Sequence, residues 1–133
     1  MASIFTRIIK GEIPCYKIAE DEFFLAFLDI NPLAKGHTLV IPKKEIDYIF
    51  DFSDEEHKDF WNYAKYISHA LKAAIPCKRI GIAVIGLEVP HAHIHLIPMN
   101  KVSDMNFANP KLKISDEEMR EIVIRIQSKV GKV

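Results

Sequence analysis

Cysteine is scarce in this chain of 133 residues: Cys15 and Cys77 lie far apart and form no Cys-x-x-Cys spacing. That excludes a disulfide framework and leaves two reduced thiols. An excess of charge of either sign is also lacking, since 18 Lys and Arg balance 18 Asp and Glu to a formal net charge of zero. With no basic arm or stripe, the chain is not expected to bind nucleic acid. No apolar run is long enough to span a bilayer, and the opening "MASIFTRIIKGEIP" is interrupted by Arg7 and Lys10 and carries no small-residue cleavage site. The expectation is a cytoplasmic protein without a membrane partner, folded as a single domain over residues 1–133. That length buries a core without help from disulfides or metal.

What is present is a succession of apolar runs separated by turn residues. "FFLAFLDI" (Phe23 to Ile30) and "HTLVIPK" (His37 to Lys43, entered through Gly36) read as strands. Ser53 with Glu56 forms a capping box that opens a helix; Phe60, Ala64, Ile67, Leu71 and Ala74 give it one apolar face, and Pro76 ends it. "RIGIAVIG" (Arg79 to Gly86) and the following histidine stretch read as two strands of a hairpin, turning around Gly86 to Pro90. A second box, Ser115 to Glu118, opens a C-terminal helix striped by Met119, Ile122, Val123, Ile126 and Val130. Asn100 to Lys113, with Asn106, Asn109 and Pro110, reads as a loop that either moves or covers something. The fold class this predicts is α+β, with an antiparallel sheet covered on one side by helices.

Three of the six histidines fall at alternate positions in "VPHAHIHLIP", Val89 to Pro98. A strand repeats at about 3.3 Å per residue with alternating faces, which would set His91, His93 and His95 roughly 7 Å apart on one face and turn Ala92, Ile94 and Leu96 to the core. Three accounts of this compete. The histidines decorate a solvent face; they hold a zinc ion with an open position; or one imidazole is a nucleophile whose neighbours fix its tautomer.

"HAHIHLI" (His91 to Ile97) resembles the motif of the histidine triad (HIT) family of nucleotide-binding hydrolases and transferases. "IFTRIIKGEIP" (Ile4 to Pro14), "AFLDINPLAKGHTLVIPK" (Ala26 to Lys43) and "GLEVPHAHIHLIP" (Gly86 to Pro98) resemble the family's blocks in order, while the helical segment 99–133 is weakly matched. The resemblance implies a HIT-like fold with a five-stranded antiparallel sheet and two main helices, joined across a homodimer. It implies that His93 attacks the α-phosphate of a purine nucleotide conjugate and forms a covalent nucleotidyl-histidine that water resolves. His91 and His95 would bind phosphate oxygens or orient His93, with the carbonyl of His91 holding the distal N–H of His93, and His37 would support the triad from the next strand. Asp29 corresponds to a ribose ligand, and Ile4, Phe5, Ile8, Phe27 and Ile30 to positions flanking the base. No cofactor is implied. A dinucleoside polyphosphate hydrolase, or a mononucleotide-binding regulatory module with incidental turnover, are the alternatives.

Two departures stand out. Where many bacterial relatives carry Cys-x-x-Cys and a further histidine for a structural zinc, this chain has Ser3, Thr6 and Glu45, and hydroxyls are poor zinc ligands, so no metal is expected. Where relatives place Ser, Thr or Gln before the triad to meet the leaving group, this chain has Glu88. A carboxylate there repels polyphosphate and favours an amine, so a phosphoramidate preference is expected.

Overall fold

The computed structural model describes residues 2–131. Its elements in chain order are α1 (Ile4–Ile9), β1 (Lys17–Glu20), β2 (Phe24–Leu28), β3 (Thr38–Pro42), α2 (Asp54–Ala74), β4 (Arg79–Ala83), β5 (Ile94–Met99) and α3 (Asp116–Gln127), with short 3-10 turns at Ile49–Asp51 and Val102–Met105. The strands form one sheet in the order β1-β2-β3-β5-β4, antiparallel throughout, as the α+β reading requires.

β2 and β3 are buried along their whole length, which explains why "FFLAFLDI" is a continuous apolar run and not an alternating one. On one face Phe24, Ala26, Leu28, Val40, Ile94 and Leu96 meet the stripe of α2 and the buried face of α3. On the other, Leu25, Phe27, Leu39 and Ile41 pack against Phe5 of α1. The sheet is therefore covered on both sides, more heavily on the α2 side, where Phe60, Ile67 and Leu71 have no exposed surface. Each such side chain contributes about 1.5–3 kcal/mol through burial.

α2 begins as expected. Ser53 Oγ accepts from the Glu56 amide at 3.1 Å, and the Glu56 carboxylate accepts from the Ser53 amide at 3.3 Å. It ends at Ala74 because Ile75, preceding Pro76, takes an extended conformation. The second box is only half made. Ser115 Oγ accepts from the Glu118 amide, but the Glu118 carboxylate turns to Lys35 Nζ at 2.5 Å.

The second covered face departs from the expected cover on one side, since Phe5 of α1 packs there, and three further details differ from the sequence reading. α1 and β1 were not anticipated as elements, being six and four residues long. β1 buries only Ile18 and carries an irregular register, so neither strand periodicity nor composition marks it. β4 and β5 do pair antiparallel, but residues 84–93 connect them in place of a short turn, and α3 stops before Val130. Among the described residues no helix is long and apolar enough to cross a membrane.

Candidate active site

Only His95 lies within β5, where it pairs with Leu39 of β3 and Ala83 of β4. His91 and His93 precede the strand, because other contacts take up their backbone: the His91 amide donates to the Val89 carbonyl at 2.8 Å and the Ala92 amide to the Ile46 carbonyl at 2.6 Å. The alternation of faces nevertheless holds. Ala92, Ile94 and Leu96 enter the α2 side of the core, while Phe5 stands edge-on to His91 and His93 at ring-centroid distances of 5.7 and 5.0 Å. His93 and His95 lean together to 4.9 Å.

Hydrogen-bond partners fix the proton on each ring. The His91 carbonyl lies 2.8 Å from His93 Nδ1. A carbonyl only accepts, so Nδ1 carries the proton and Nε2 is left with its lone pair. The Leu33 amide donates to His37 Nδ1 at 3.0 Å, which puts the His37 proton on Nε2. That Nε2 donates in turn to His95 Nδ1 at 2.9 Å, and His95 is left with an N–H at Nε2. The two rings that touch thus differ in kind: His93 offers a lone pair, His95 a donor. Burial lowers the pKa of His37 to about 3 and that of His95 to about 4, with the neighbouring imidazoles and the Lys111 charge acting in the same direction. Both stay neutral near pH 7.

His91 plays another part. Its Nε2 donates to the Pro42 carbonyl at 2.8 Å and its Nδ1 accepts from Ser3 Oγ at 2.8 Å. With both nitrogens engaged, the ring has none free for a phosphate oxygen, and of the two roles expected of His91 the contacts suit the second, its carbonyl meeting His93 Nδ1. Ser3, Thr6, Glu45 and His91 do converge, as a hydrogen-bonded cluster. Glu45 Oε1 accepts from the Ser3 amide at 2.7 Å and Thr6 Oγ1 at 2.6 Å, and these donors hold its pKa down to about 2.

Asp29 caps the turn after β2, accepting from the Asn31 amide at 2.8 Å, with its other oxygen 3.5 Å from His37 Nε2. Burial raises its pKa. Asp29, His37 and His95 each bring one potential metal-ligating atom within 4.8 Å of the others. This donor set does not suit a cation, because the Leu33 amide forces a proton onto the very His37 nitrogen that would ligate it.

The residues expected at the base separate into two groups. Phe5 and Phe27 are buried and meet edge-on at 5.8 Å, with Ile8 half-buried beside them, whereas Ile4 and Ile30 are exposed. Glu88 is exposed in the connection that leads into the triad. Two contacts went unrecognised in the sequence. Phe107 stands edge-on to His95 at 4.9 Å and to His37 at 6.3 Å, and Lys111 sits beside it, with Nζ donating to the Phe107 carbonyl at 2.5 Å. Their only signal was membership of a segment read as a loop that either moves or covers something. A cavity of about 390 Å³ between Phe23, Phe24, Pro42, Lys43, Phe52 and Glu56 lies elsewhere and contains none of these groups.

Comparison with known proteins places this geometry. Residues 10–102 match the family model described as the HIT domain. Over 132 residues the chain is 36% identical to the adenosine 5'-monophosphoramidase hnt1 of Schizosaccharomyces pombe, covering 98% of this chain and 99% of that protein. An uncharacterized HIT-like protein of Borreliella burgdorferi is 38% identical, with 96% and 97% covered. Among solved structures, a Hit-like protein involved in cell-cycle regulation from Bartonella henselae superposes with a TM-score of 0.82 at 30% identity, covering 96% of this chain and 95% of that one.

Proposed function

The chain belongs to the HIT family, and from that premise we propose that it is a nucleotide hydrolase or transferase that cleaves purine nucleoside phosphoramidates at the α-phosphate through a covalent nucleotidyl-His93. The observation that carries this reading is the 2.8 Å contact between His93 Nδ1 and the His91 carbonyl, which leaves Nε2 unprotonated as nucleophilic attack requires. The likeness to a phosphoramidase along nearly the whole chain supports the substrate class.

In the first step His93 Nε2 bonds to phosphorus as the bond to the leaving amine breaks, and the amine departs with one proton taken from solution. In the second, water attacks the nucleotidyl-histidine, the P–N bond to His93 breaks, and one proton returns to solution. The His95 Nε2–H donates a hydrogen bond to a phosphoryl oxygen, and its orientation comes from the Leu33 amide by way of His37. Asp29 accepts from the ribose hydroxyls, Phe5, Phe27 and Ile8 underlie the base, and Ile4 and Ile30 cover it. Glu88 attracts the departing amine and disfavours polyphosphate.

The active unit we propose is a homodimer formed along β4. α3 reaches the β1 edge of the sheet, where Gln127 Nε2 donates to the Lys17 carbonyl at 3.1 Å, but among the described residues β4 pairs only with β5, and Ile82 is 51% exposed. A second copy adding its own β4 antiparallel satisfies that edge.

The test compares kcat/KM on adenosine 5'-phosphoramidate and on a dinucleoside polyphosphate. Wild type favours the phosphoramidate, His93→Ala loses more than about a thousandfold on both while still binding AMP, and Glu88→Gln narrows the preference. An active His93→Ala removes the nucleophile assignment; an unchanged preference in Glu88→Gln removes the role of the carboxylate.

A further inference from the structure

The histidines and carboxylates of the proposed site supply no positive charge. His37 and His95 are neutral, His93 must be neutral to attack, and Asp29 and Glu88 bring only negative charge to a reaction on an anionic phosphate. Some cation has to compensate for the charge on the non-bridging oxygens, or attack on them is electrostatically opposed. The segment that follows β5 supplies one, and it lies beyond residue 102, where the match to the family model ends.

That segment is tied down on both sides of Phe107. The Asn106 amide donates to Ser103, the Asn109 side chain donates to the Ser103 carbonyl at 2.8 Å, and the Asn109 amide closes a turn onto Asn106 at 3.0 Å. Past Pro110, which fixes the backbone torsion, the Leu112 amide donates to the Pro32 carbonyl at 2.9 Å, docking the strap on the turn that carries Asp29 and Leu33. Lys111 immediately precedes this anchor. Its ammonium donates to the neutral Phe107 carbonyl and lies 5.8 Å from the Phe107 ring, which in turn lies 4.9 Å from the His95 ring, nearly perpendicular to it. Among the described residues no carboxylate is within ion-pairing distance of Lys111, and it is the one lysine or arginine whose charge acts on Asp29, His37 and His95 together.

The geometry points to Lys111 as a ligand of the substrate's α-phosphate, presented by the Asn106–Leu112 strap and exchanging its contact with the Phe107 carbonyl for a phosphoryl oxygen when a nucleotide binds. This rests on the nucleotide site proposed above. Lysine suits the role as a compact charge on a flexible stem, already held near the histidines by a weak, neutral acceptor.

Calorimetric titration of wild type, Lys111→Gln and Lys111→Arg with AMP and with adenosine tests it, alongside kcat and KM on adenosine 5'-phosphoramidate. The expected result is that Lys111→Gln weakens AMP about tenfold to a hundredfold and leaves adenosine unchanged, with Lys111→Arg restoring most of the loss. Equal weakening of AMP and adenosine would mean that Lys111 merely shapes the strap, and it overturns the inference, as does unaltered AMP binding. A wild-type protein that binds neither ligand sinks the nucleotide site itself, an outcome separate from a failure at Lys111.

Discussion

A histidine offers a lone pair or a proton depending on what faces its other nitrogen, and that question decides the chemistry of this chain residue by residue. The triad motif announces three imidazoles, but their different roles come from a carbonyl at His93, a hydroxyl and a carbonyl at His91, and a second imidazole at His95. The cap on His93 was legible in the sequence because it comes from the motif's own backbone. The engagement of both His91 nitrogens was not, since Ser3 and Pro42 are distant in sequence and only folding brings them there. Burying neutral histidines has a cost that depends on pH. Below about pH 6.5 the unfolded chain binds protons at His37 and His95, whereas the native chain refuses them until about pH 3 and 4. In that window the unfolded state holds more protons, so stability falls on acidification, by up to about 1.4 kcal/mol per pH unit for each histidine. Urea unfolding at pH 7 and pH 5 is expected to show a lower stability at pH 5, with the decline reduced in His37→Asn. Equal stability at the two pH values would contradict the assignment of neutral, buried imidazoles. Glu45, whose pKa is depressed to about 2, loses its contribution only below about pH 4.5 and does not confuse this range.

At the scale of elements, the long periodic segments were readable and the short ones were not. The stripe of α2 and its capping box appear in the fold as the spacing predicts, because a helix of 21 residues repeats its pattern several times. β1 and α1 are too short to establish a period and exist because the sheet edge and the triad give them something to pack on. The start of β5 was misplaced because alternation of faces persists into extended backbone that makes no ladder bonds. The entry to β3 depends on Gly36, which has φ of 90° and faces α2: a Cβ there would lie 3.0 Å from Ile75 Cγ1 and 3.2 Å from Leu71 Cδ1. Gly86 has φ of 74° but nothing within 4 Å of such a Cβ. Gly36→Ala is therefore expected to destabilise by about 2–4 kcal/mol, combining backbone strain with crowding, against about 1–2 for Gly86→Ala. Thermal unfolding of the two variants checks the order, and equal losses would contradict the close approach of β3 to α2.

At the scale of the whole molecule, the sheet presents one edge met by α3 and one that is bare among the described residues, and the segment after β5 folds back over the site. The C-terminal region was the least legible part of the sequence. Its helix was visible from the stripe and the cap, but the placement of Phe107 on His95 follows from tertiary docking of the strap on Pro32, which no local pattern records. The bare β4 edge predicts a solution mass of two chains by light scattering, and Ile82→Lys, which places a charge on that strand, is expected to shift the protein toward one chain. A wild type that stays monomeric at high concentration would exclude the β4 interface.

The central claim concerns a bond between His93 and phosphorus, and intact-protein mass spectrometry of reactions quenched early in turnover of adenosine 5'-phosphoramidate observes it most directly. Wild type should gain the mass of one adenylyl group, mapped to the peptide containing His93 and absent in His93→Ala. Turnover by wild type with no adduct at any quench time under slow-hydrolysis conditions, or an adduct on another residue, would contradict the account.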